Sequence, residues 1–342
     1  MSAQQLDTGL VTLAAAIVDG SLQNVRVQSR RPAVATLLAG RPPSMVETML
    51  PLLYAICRRA QGAAATAALA AAGGTAVPTG VNAAAAAEAV RELMFAALTG
   101  EARRSLAEAQ RRLFDAPALR SYLQEEAFGM SLDEWHALQD EAGLLAWADA
   151  GNAPLQAEAR RRLALPEPPA ARVRLLPMVE AATVSSGMPV IDAGVAAQPS
   201  WTGEPAETGP LVRQQAHSLV ARLGARPLLQ RWMARLADLV QHLRADGVSM
   251  LGRVSAASTD EGVGMALVET ARGSLLHRAR LHGGVVSDYL IVAPTEWNFH
   301  PQGPIRTWLE GRAVAGPAAA REWLHRAAEA LDPCVVCQLL VE

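Results

Sequence analysis

The sequence predicts an α+β fold that is mainly helical, with small β-hairpins near the N-terminus and at 263–293. Of its 342 residues, 51% are hydrophobic and only 4% are aromatic, and much of the apolar share is alanine, the residue with the highest helix propensity. Short apolar runs bounded by turn residues supply the strand signals in both hairpin regions. A chain of this length can bury a substantial core. We expect one domain over 1–342, in which an N-terminal region (residues 1–164) and a C-terminal region (residues 171–342) are joined by a proline-rich connector.

The N-terminal region is predicted to begin with a hairpin and to continue as helices. Asp19-Gly20 separates two apolar-rich runs, and this pair is typical of a tight hairpin turn. Ser44 is a good helix cap, so we expect a helix over 45–72 with Cys57 midway along it. Further helices are expected at 82–98, capped by Asn82, and at 101–113, 117–127 and 131–147, the last with a capping box from Ser131 to Glu134.

The C-terminal region is predicted to mix helices and strands. Residues 171–180 have the pattern of a strand. Apolar residues at helical spacing cover 211–245, including Leu219, Leu223, Leu228, Leu229, Trp232, Leu236 and Leu239. Strands are expected at 265–269, 275–281 and 285–292, with a turn at His282-Gly283-Gly284, and a final helix is expected at 317–330.

Charge and hydropathy argue against several classes of partner. The chain has 31 Lys and Arg residues against 33 Asp and Glu residues, a formal net charge of −2, which argues against a nucleic acid as the main partner. No apolar run has the length of a membrane span and no signal-peptide pattern is recognisable, so we expect a protein that is not membrane-embedded. Three cysteines, an odd number, do not suggest a disulfide framework, and we expect a cytoplasmic location.

Two of the three cysteines, Cys334 and Cys337, form a C-x-x-C pair on a turn introduced by Asp332-Pro333. Two thiols at this spacing can hold one metal ion or close a redox disulfide, and soft thiolates select iron, nickel, zinc or copper(I). A single pair is a weaker signal than the two pairs of most zinc sites, so both alternatives stay open. Cys57 lies far away in the sequence and, taken alone, is more typical of a buried inert thiol than of a ligand.

Five separated segments resemble, in the same order, motifs of the large subunit of nickel–iron hydrogenases. Gly40-Arg41 with Ile56-Cys57 resembles G-R-x-P and R-I-C-G-V-C, Glu207 to Arg213 is similar to E-V-G-P-L-A-R, Glu269 to His277 resembles E-A-P-R-G-x-L-x-H, Pro294 to Pro301 resembles P-T-x-W-N-x-x-P, and Asp332 to Cys337 resembles D-P-C-x-x-C. No such motif matches within 90–200. The resemblance implies a shortened nickel–iron hydrogenase large-subunit-like fold in which both ends of the chain converge on a thiol site.

The departures from the hydrogenase pattern bear on function. In that family, two C-x-x-C pairs supply four thiolates to nickel, and the second cysteine of each pair also bridges to iron. Here the first pair is replaced by Cys57-Arg58-Arg59-Ala60, so alanine occupies one bridging position. The acidic residue of the family's R-G-x-E motif has no clear equivalent in 30–37, and Leu340 replaces the last histidine. We therefore expect no enzymatic turnover of hydrogen and no bound nickel.

This pattern resembles the HupK/HoxV group, degenerate relatives of the large subunit that assist hydrogenase maturation. The resemblance implies a scaffold that transiently holds the iron dicyanide carbonyl unit, Fe(CN)2(CO), before its transfer to the catalytic large subunit. The implied metal ligands are Cys57, Cys334 and Cys337, and the missing bridge should leave the iron labile. The implied partners are the hydrogenase large-subunit precursor and iron-delivering maturation factors.

Three further residues are implied to bind the diatomic ligands of the iron. Arg272 can place a guanidinium group beside the anionic cyanides, Thr295 can donate its hydroxyl, and Pro294 shapes the pocket. Alternatively, Arg272 pairs with Glu269 or another carboxylate at a strand edge. His277 is expected to be a packed, hydrogen-bonded histidine.

Other functional hypotheses stay open at this point. A metal-free chaperone would bind immature hydrogenase subunits by resembling their fold. A minimal nickel–iron redox enzyme is a third hypothesis, against which the alanine at position 60 argues, and disulfide exchange is a fourth. The scaffold and the chaperone differ in whether maturation needs the three cysteines, so replacing all three discriminates between them.

Overall fold

The computed structural model describes residues 9–31 and 34–342. Its strands are β1 Leu10–Val18, β2 Ser21–Arg30, β3 Arg174–Leu175, β4 Ser200–Trp201, β5 Glu204–Glu207, β6 Val254–Asp260, β7 Val263–Thr270, β8 Gly273–His282, β9 Val285–Val292 and β10 Val336–Val341. Its α-helices are α1 Val34–Leu38, α2 Pro43–Met49, α3 Arg58–Ala72, α4 Val81–Ala97, α5 Leu106–Arg111, α6 Ala116–Tyr122, α7 Leu132–His136, α8 Glu141–Asp149, α9 Pro154–Leu163, α10 Ala193–Ala197, α11 Pro210–Arg213, α12 Ser218–Arg222, α13 Pro227–Leu243, α14 Pro294–Asn298, α15 Pro304–Leu309 and α16 Pro317–Leu331.

The two ends of the described chain meet in a three-stranded sheet with the order β10-β1-β2. β1 and β2 are antiparallel, and their turn residues Asp19 and Gly20 both have positive φ, as a tight hairpin turn of the Asp-Gly type requires. β10 lies parallel to β1, with Cys337 opposite Val11. The sequence analysis did not predict β10, although this strand carries the C-terminal segment to the N-terminal hairpin.

A second, antiparallel sheet with the order β6-β7-β8-β9 carries α3 on one face. The face of α3 toward the sheet is made largely of alanine, including the fully buried Ala64 and Ala68. Gly264 on β7 lies against the Ala68 carbonyl, and a Cβ atom at this position would overlap the helix backbone. Small residues on both sides therefore bring α3 close to the sheet and hold Cys57, which precedes α3, against Val268.

The largest apolar core combines helices of the N-terminal half with α13. The apolar residues that the helical spacing indicated within 211–245 are all buried, as predicted, but the long helix or helix pair expected there is divided into α11, α12 and α13. Trp232 on α13 donates its indole N–H to the carbonyl of Ala97 at the end of α4, at 2.9 Å. Because α13 also contacts α16, it connects the N-terminal helices with the helix that leads into Asp332-Pro333-Cys334.

The helix expected around Cys57 is interrupted, and this correction matters for the site. A 3₁₀ turn that contains Pro51 follows α2, and the next helix begins only at Arg58. Cys57 therefore precedes α3 in a non-helical conformation instead of lying midway along a helix. Proline lacks the N–H group that a continuous helix needs. The Glu88 carboxylate accepts hydrogen bonds from the N–H groups of Arg59 and Ala60 and so stabilises the new start.

The predicted caps are only partly correct. Pro42 precedes α2 and a left-handed glycine precedes α4, so neither Ser44 nor Asn82 serves as a cap. The capping box is confirmed, because the N–H of Glu134 donates to Ser131 Oγ and the N–H of Ser131 donates to Glu134 Oε2, each at 3.2 Å. Proline and glycine at the helix starts thus override side-chain capping at two of three positions.

Other differences concern both helices and strands. The helix expected over 131–147 is divided into α7 and α8. The strand expected over 171–180 is reduced to the two residues of β3, which joins a small sheet with the order β3-β5-β4. β7, β8 and β9 lie where strands were expected, whereas β6 was not predicted. Within the described ranges, every helix is too short or too polar to cross a membrane.

Candidate functional site

The structure brings Cys57 and Cys334 together, and both residues are half-buried. Cys57 lies at the start of α3, and Cys334 lies just after the left-handed residue Asp332 that ends α16. The two thiols are within hydrogen-bonding distance. Both line a cavity of about 20 Å³, which has room for about one water molecule. Two of the three predicted metal ligands therefore share one enclosed site.

The wall of this cavity contains several residues that the sequence analysis selected. Pro294 and Arg272 line it, and Ala60 presents a methyl group where the hydrogenase pattern has a bridging cysteine. Most of the remaining wall is apolar, with side chains such as Ala85 and Leu275. A poorly hydrated wall strengthens electrostatic interactions between the groups that do face the cavity.

Cys334 is surrounded by hydrogen-bond donors. Arg31 Nη2 donates to its sulfur at 3.0 Å, and Thr295 Oγ1 lies 3.1 Å from the same sulfur. The backbone N–H of Cys334 also donates to Thr295 Oγ1, at 3.4 Å. The hydrogen bond from Cys57 holds the pKa of the Cys334 thiol well below its usual range, and the guanidinium groups of Arg31 and Arg272 act in the same direction. These groups favour the thiolate form of Cys334.

Cys57 shows the opposite tendency. The hydrogen bond that its thiol donates to Cys334, together with burial, raises the pKa of Cys57 well above its usual range. The side-chain amide of Gln61 donates to Cys57 Sγ at 3.6 Å. Of the two sulfurs, the thiolate form is thus favoured at Cys334 and the thiol form at Cys57. Two soft sulfur donors lie side by side, and each ligates a metal in its deprotonated form.

Arg272 is buried and holds the turn that carries Cys334. Its Nε donates to the carbonyl oxygen of Asp332 at 3.0 Å and lies 3.0 Å from the Asp332 carboxylate. Glu92 lies 3.6 Å from Nη1. Of the alternative pairing with Glu269 or another carboxylate, the choice of Glu269 is wrong, because Glu269 pairs with Arg213 at 2.9 Å, whereas pairing with other carboxylates is confirmed. Arg272 thus both lines the cavity and fixes the Asp-Pro-Cys turn.

Sequence reasoning missed two residues beside Cys334. Arg31 ends the hairpin segment and forms an ion pair with Glu296 on α14 while also donating to Cys334. Glu296 is 4% exposed, and burial raises the pKa of its carboxyl group. Glu296 lies inside the P-T-x-W-N segment next to Thr295. Its position in this motif could therefore have indicated that it lies at the site. The sequence offered no comparable signal for Arg31.

Cys337 is placed differently from the other two cysteines. Its side chain packs with the apolar cluster beneath the terminal sheet, and burial raises the pKa of its thiol to about 11. Among the described residues, no group of three or more His, Cys, Asp or Glu side chains is arranged to hold a metal ion. The assignment of Cys337 as a third ligand therefore stays a prediction, and it requires a rearrangement of the segment that follows Cys334.

Comparison with known protein sequences gives matches along nearly the whole chain. Residues 206–339 match the sequence profile of the nickel-dependent hydrogenase family. The chain is 32% identical to the hydrogenase expression/formation protein HupK of Azotobacter vinelandii, over 94% of this chain and 96% of that protein. It is 31% identical to the hydrogenase expression/formation protein HupV of Azotobacter chroococcum, over 97% and 98%. Identity to the hydrogenase expression/formation protein HoxV of Cupriavidus necator is 28%, over 90% and 91%.

Solved hydrogenase structures share the fold. The reduced, active nickel–iron–selenium hydrogenase from Desulfomicrobium baculatum matches with a TM-score of 0.56 at 12% identity, over 94% of this chain and 95% of that chain. The reduced nickel–iron–selenium hydrogenase from Desulfovibrio vulgaris Hildenborough gives 0.55 at 15% identity, over 93% and 94%. At these identities the likeness concerns the fold alone, and it agrees with the hydrogenase large-subunit-like fold expected from the motifs.

Proposed function

Because the chain belongs to the family of hydrogenase expression/formation proteins that includes HoxV, HupK and HupV, and so acts in hydrogenase maturation, we propose that it is a transient scaffold for active-site iron. The cargo in this proposal is the Fe(CN)2(CO) unit, held before its transfer to the catalytic large subunit. The protein itself would be non-catalytic and would bind no nickel. Its partners would be the large-subunit precursor and the factors that deliver iron, in the cytoplasm.

The observation that carries this proposal is that Cys57 and Cys334, both half-buried, line the same small cavity. Two soft sulfur donors side by side suit an iron unit better than a hard cation. Ala60 removes one of the sulfurs that would be needed for a nickel–iron centre. Fewer metal–sulfur bonds favour release of the iron, which suits a carrier and would impair a permanent catalyst.

The donors around the pair support cargo with anionic diatomic ligands. Arg272 lines the cavity, and its Nη1 is 3.6 Å from Glu92, which is too far for a strong hydrogen bond. Thr295 Oγ1 lies 3.1 Å from the sulfur of Cys334, so its hydroxyl would be able to donate to a ligand bound there. Charge-assisted hydrogen bonds of this kind orient and retain a metal group nearly as much as direct ligands do.

Loading must enlarge the cavity. A volume of about 20 Å³ accepts about one water molecule, and an iron ion with three diatomic ligands is much larger. We propose that cargo enters as Cys334 moves away from Cys57, because Cys334 lies between α16 and β10 and not within a regular element. The same movement would allow Cys337 to leave its apolar packing and act as the third ligand.

Infrared spectroscopy tests the scaffold directly. The protein is purified anaerobically from cells that contain the hydrogenase maturation system, and cyanide and carbonyl stretching bands are recorded. We expect these bands in the wild type and a loss of most of their intensity in Cys57→Ser and Cys334→Ser. Cys337→Ser tests the third ligand separately.

The matched control for these variants is Val335→Thr, which changes a neighbouring side chain without removing a thiol. Its bands should equal those of the wild type. Undiminished bands in both Cys57→Ser and Cys334→Ser would overturn the scaffold proposal, as would wild-type protein without bands when the same cells load the large subunit.

The second candidate is a metal-free chaperone that binds immature hydrogenase subunits. The small volume of the cavity at the two cysteines, about 20 Å³, favours it. In cells that depend on this protein, hydrogenase maturation should survive replacement of all three cysteines by serine if only protein contacts matter. Loss of maturation, with the variant still folded, would favour the scaffold.

A further inference from the structure

A chain of hydrogen bonds connects Cys57 to Tyr289 on β9, along the face of the second sheet that packs against α3. Gln61 Nε2 donates to Cys57 Sγ at 3.6 Å, and Gln61 Oε1 lies 2.9 Å from Nε2 of His277 on β8. Nδ1 of His277 lies 2.7 Å from the hydroxyl of Tyr289 on β9. The expectation of a packed, hydrogen-bonded His277 is thus confirmed. Gln61, His277 and Tyr289 are each no more than 1% exposed.

The direction of these hydrogen bonds follows from their partners. Burial lowers the pKa of His277 to about 3, so its ring is neutral and carries one N–H group. Since the amide nitrogen of Gln61 faces Cys57, its oxygen accepts from His277 Nε2–H. Nδ1 of His277 then accepts from the Tyr289 hydroxyl. Every group in the chain therefore donates in the direction of Cys57.

Fold stability alone does not account for this chain of polar groups. Burying three polar side chains costs free energy that their hydrogen bonds only roughly offset. Apolar side chains of similar shape, like those around them on the buried faces of α3 and β8, would serve packing at least as well. The polar chain also ends on the sulfur of Cys57 and not on a backbone group. This end point relates it to the thiol site.

We propose that Gln61 is a positioning residue for the thiol site, held in place by His277 and Tyr289. Its amide N–H fixes the side chain of Cys57 so that the sulfur faces Cys334 across the cavity. The inference rests on the proposed function only for the identity of the cargo. The positioning itself concerns how the two sulfurs bind any soft cation.

Cadmium binding tests the inference without the maturation system. The reduced protein is titrated anaerobically with cadmium ions, and the ultraviolet charge-transfer band of cadmium–thiolate bonds is recorded. Gln61→Leu should weaken cadmium binding about 10- to 100-fold, the usual effect of losing a residue that orients a metal ligand. The band should also change in shape, because the geometry of the Cys57 sulfur relative to the metal changes.

Gln156→Leu is the matched control. Gln156 is also a buried helical glutamine, 3% exposed, which donates to the Trp147 carbonyl at 3.0 Å and accepts from the Ala153 N–H at 2.9 Å. It lies away from the cysteines, so its replacement should lower stability and leave cadmium affinity unchanged. Equal affinity in Gln61→Leu and the wild type would overturn the inference, and so would an equal loss in Gln156→Leu.

If Gln61→Leu fails to fold, Tyr289→Phe provides a second test of the inference. It removes one hydroxyl at the far end of the chain and should cause a smaller loss of cadmium affinity in the same direction; an unchanged affinity and band in that case would overturn the inference. The scaffold proposal can fail separately. In that case the wild type shows no infrared bands, but Gln61→Leu still binds cadmium more weakly than the wild type.

Discussion

Arg31 connects two acidic groups, the half-buried thiol of Cys334 and the buried carboxyl group of Glu296. Its replacement by methionine removes a positive charge and a hydrogen-bond donor from Cys334. We predict that Arg31→Met raises the pKa of the Cys334 thiol and slows its alkylation by iodoacetamide about tenfold at neutral pH, since the thiolate is the reacting form. Mass spectrometry of the alkylated peptide, recorded at several pH values, measures the rate.

Arg26→Met is the control for this experiment. Arg26 lies on the same hairpin and pairs with Glu342 at 2.6 Å, with both side chains about half exposed. Such a surface pair contributes little, so alkylation of Cys334 should be unchanged. A rate in Arg31→Met equal to that of the wild type would show that Arg31 does not support the thiolate.

At the residue scale, the sequence was informative where a motif fixed the position of a side chain. Cys57, Cys334, Arg272 and Pro294 were selected through the resemblance, and the structure places all four at the cavity. Arg31 was missed because its contact with Cys334 joins residues 303 positions apart. Charge partners at such separations depend on the whole topology and leave no local pattern in one sequence.

At the element scale, β10 carries the C-terminal segment to the terminal sheet. Leu339 points into the apolar cluster beneath the sheet, whereas Leu340 is 36% exposed on the other face. We predict that Leu339→Asp detaches β10, because it places a carboxylate in an apolar environment. Cys337, now packed and with its pKa raised to about 11, should become at least tenfold more reactive to iodoacetamide.

Leu340→Asp is the matched control for detachment. The substitution is the same and the position is adjacent, but the side chain points outward because strand residues alternate between faces. Cys337 should then remain protected. Equal reactivity of Cys337 in the two variants would contradict the assigned register of β10.

The close approach of α3 to the second sheet gives another prediction at the element scale. Gly264→Ala places a Cβ atom against the backbone of α3 near Ala68. We expect a loss of about 1–3 kcal/mol in the free energy of unfolding, the usual cost of overpacking, measured by urea denaturation. Gly224→Ala is the control, since its nearest contact would be 3.9 Å from the Ala221 carbonyl. Equal stability of Gly264→Ala and the wild type would mean that α3 can move away at no cost.

Helices and strands were predictable where the pattern of apolar residues that defines them lies within their own sequence. The apolar spacing of α13 and the alternating runs of β7, β8 and β9 are visible in the sequence itself. β6 and β10 are short, and much of their surface is exposed, so they gain their structure from pairing with distant strands. The break in the helix before Cys57 was not predicted, because a single proline within an otherwise apolar, helix-favouring segment is a weak signal of a helix end.

At the scale of the whole molecule, the thiol site depends on the packing of two distant regions of the chain. Cys57 is fixed by α3 and the second sheet, and Cys334 by α16 and the terminal sheet. α13 contacts both α4 and α16 and thereby connects these two regions. Partial unfolding of either region would separate the sulfurs, so conditions that destabilise the whole fold should also weaken metal binding.

Acid is such a condition, because buried histidines must gain protons when the protein unfolds. Burial lowers the pKa of His217 to about 4, with His136 and Arg244 as the neighbouring groups that lower it further. The His136 and His217 rings are 4.7 Å apart. Since the unfolded chain has an ordinary histidine pKa of about 6.5, it binds more protons than the folded chain between about pH 4 and pH 6.5. Stability therefore rises with pH across this window and is lost as the pH falls through it.

We predict that the free energy of unfolding decreases between pH 7.5 and pH 5 by on the order of 1–2 kcal/mol from His217 alone, with a further loss from His277, whose pKa is also depressed. Urea denaturation at several pH values measures this dependence. His217→Phe keeps a ring of similar size and cannot be protonated, so its stability should vary less with pH in this window. His282→Phe, at an exposed turn, should keep the dependence of the wild type. If His217→Phe loses stability in acid as steeply as the wild type, the acid sensitivity arises from other groups. The His136–His217 pair then does not connect pH with the integrity of the thiol site.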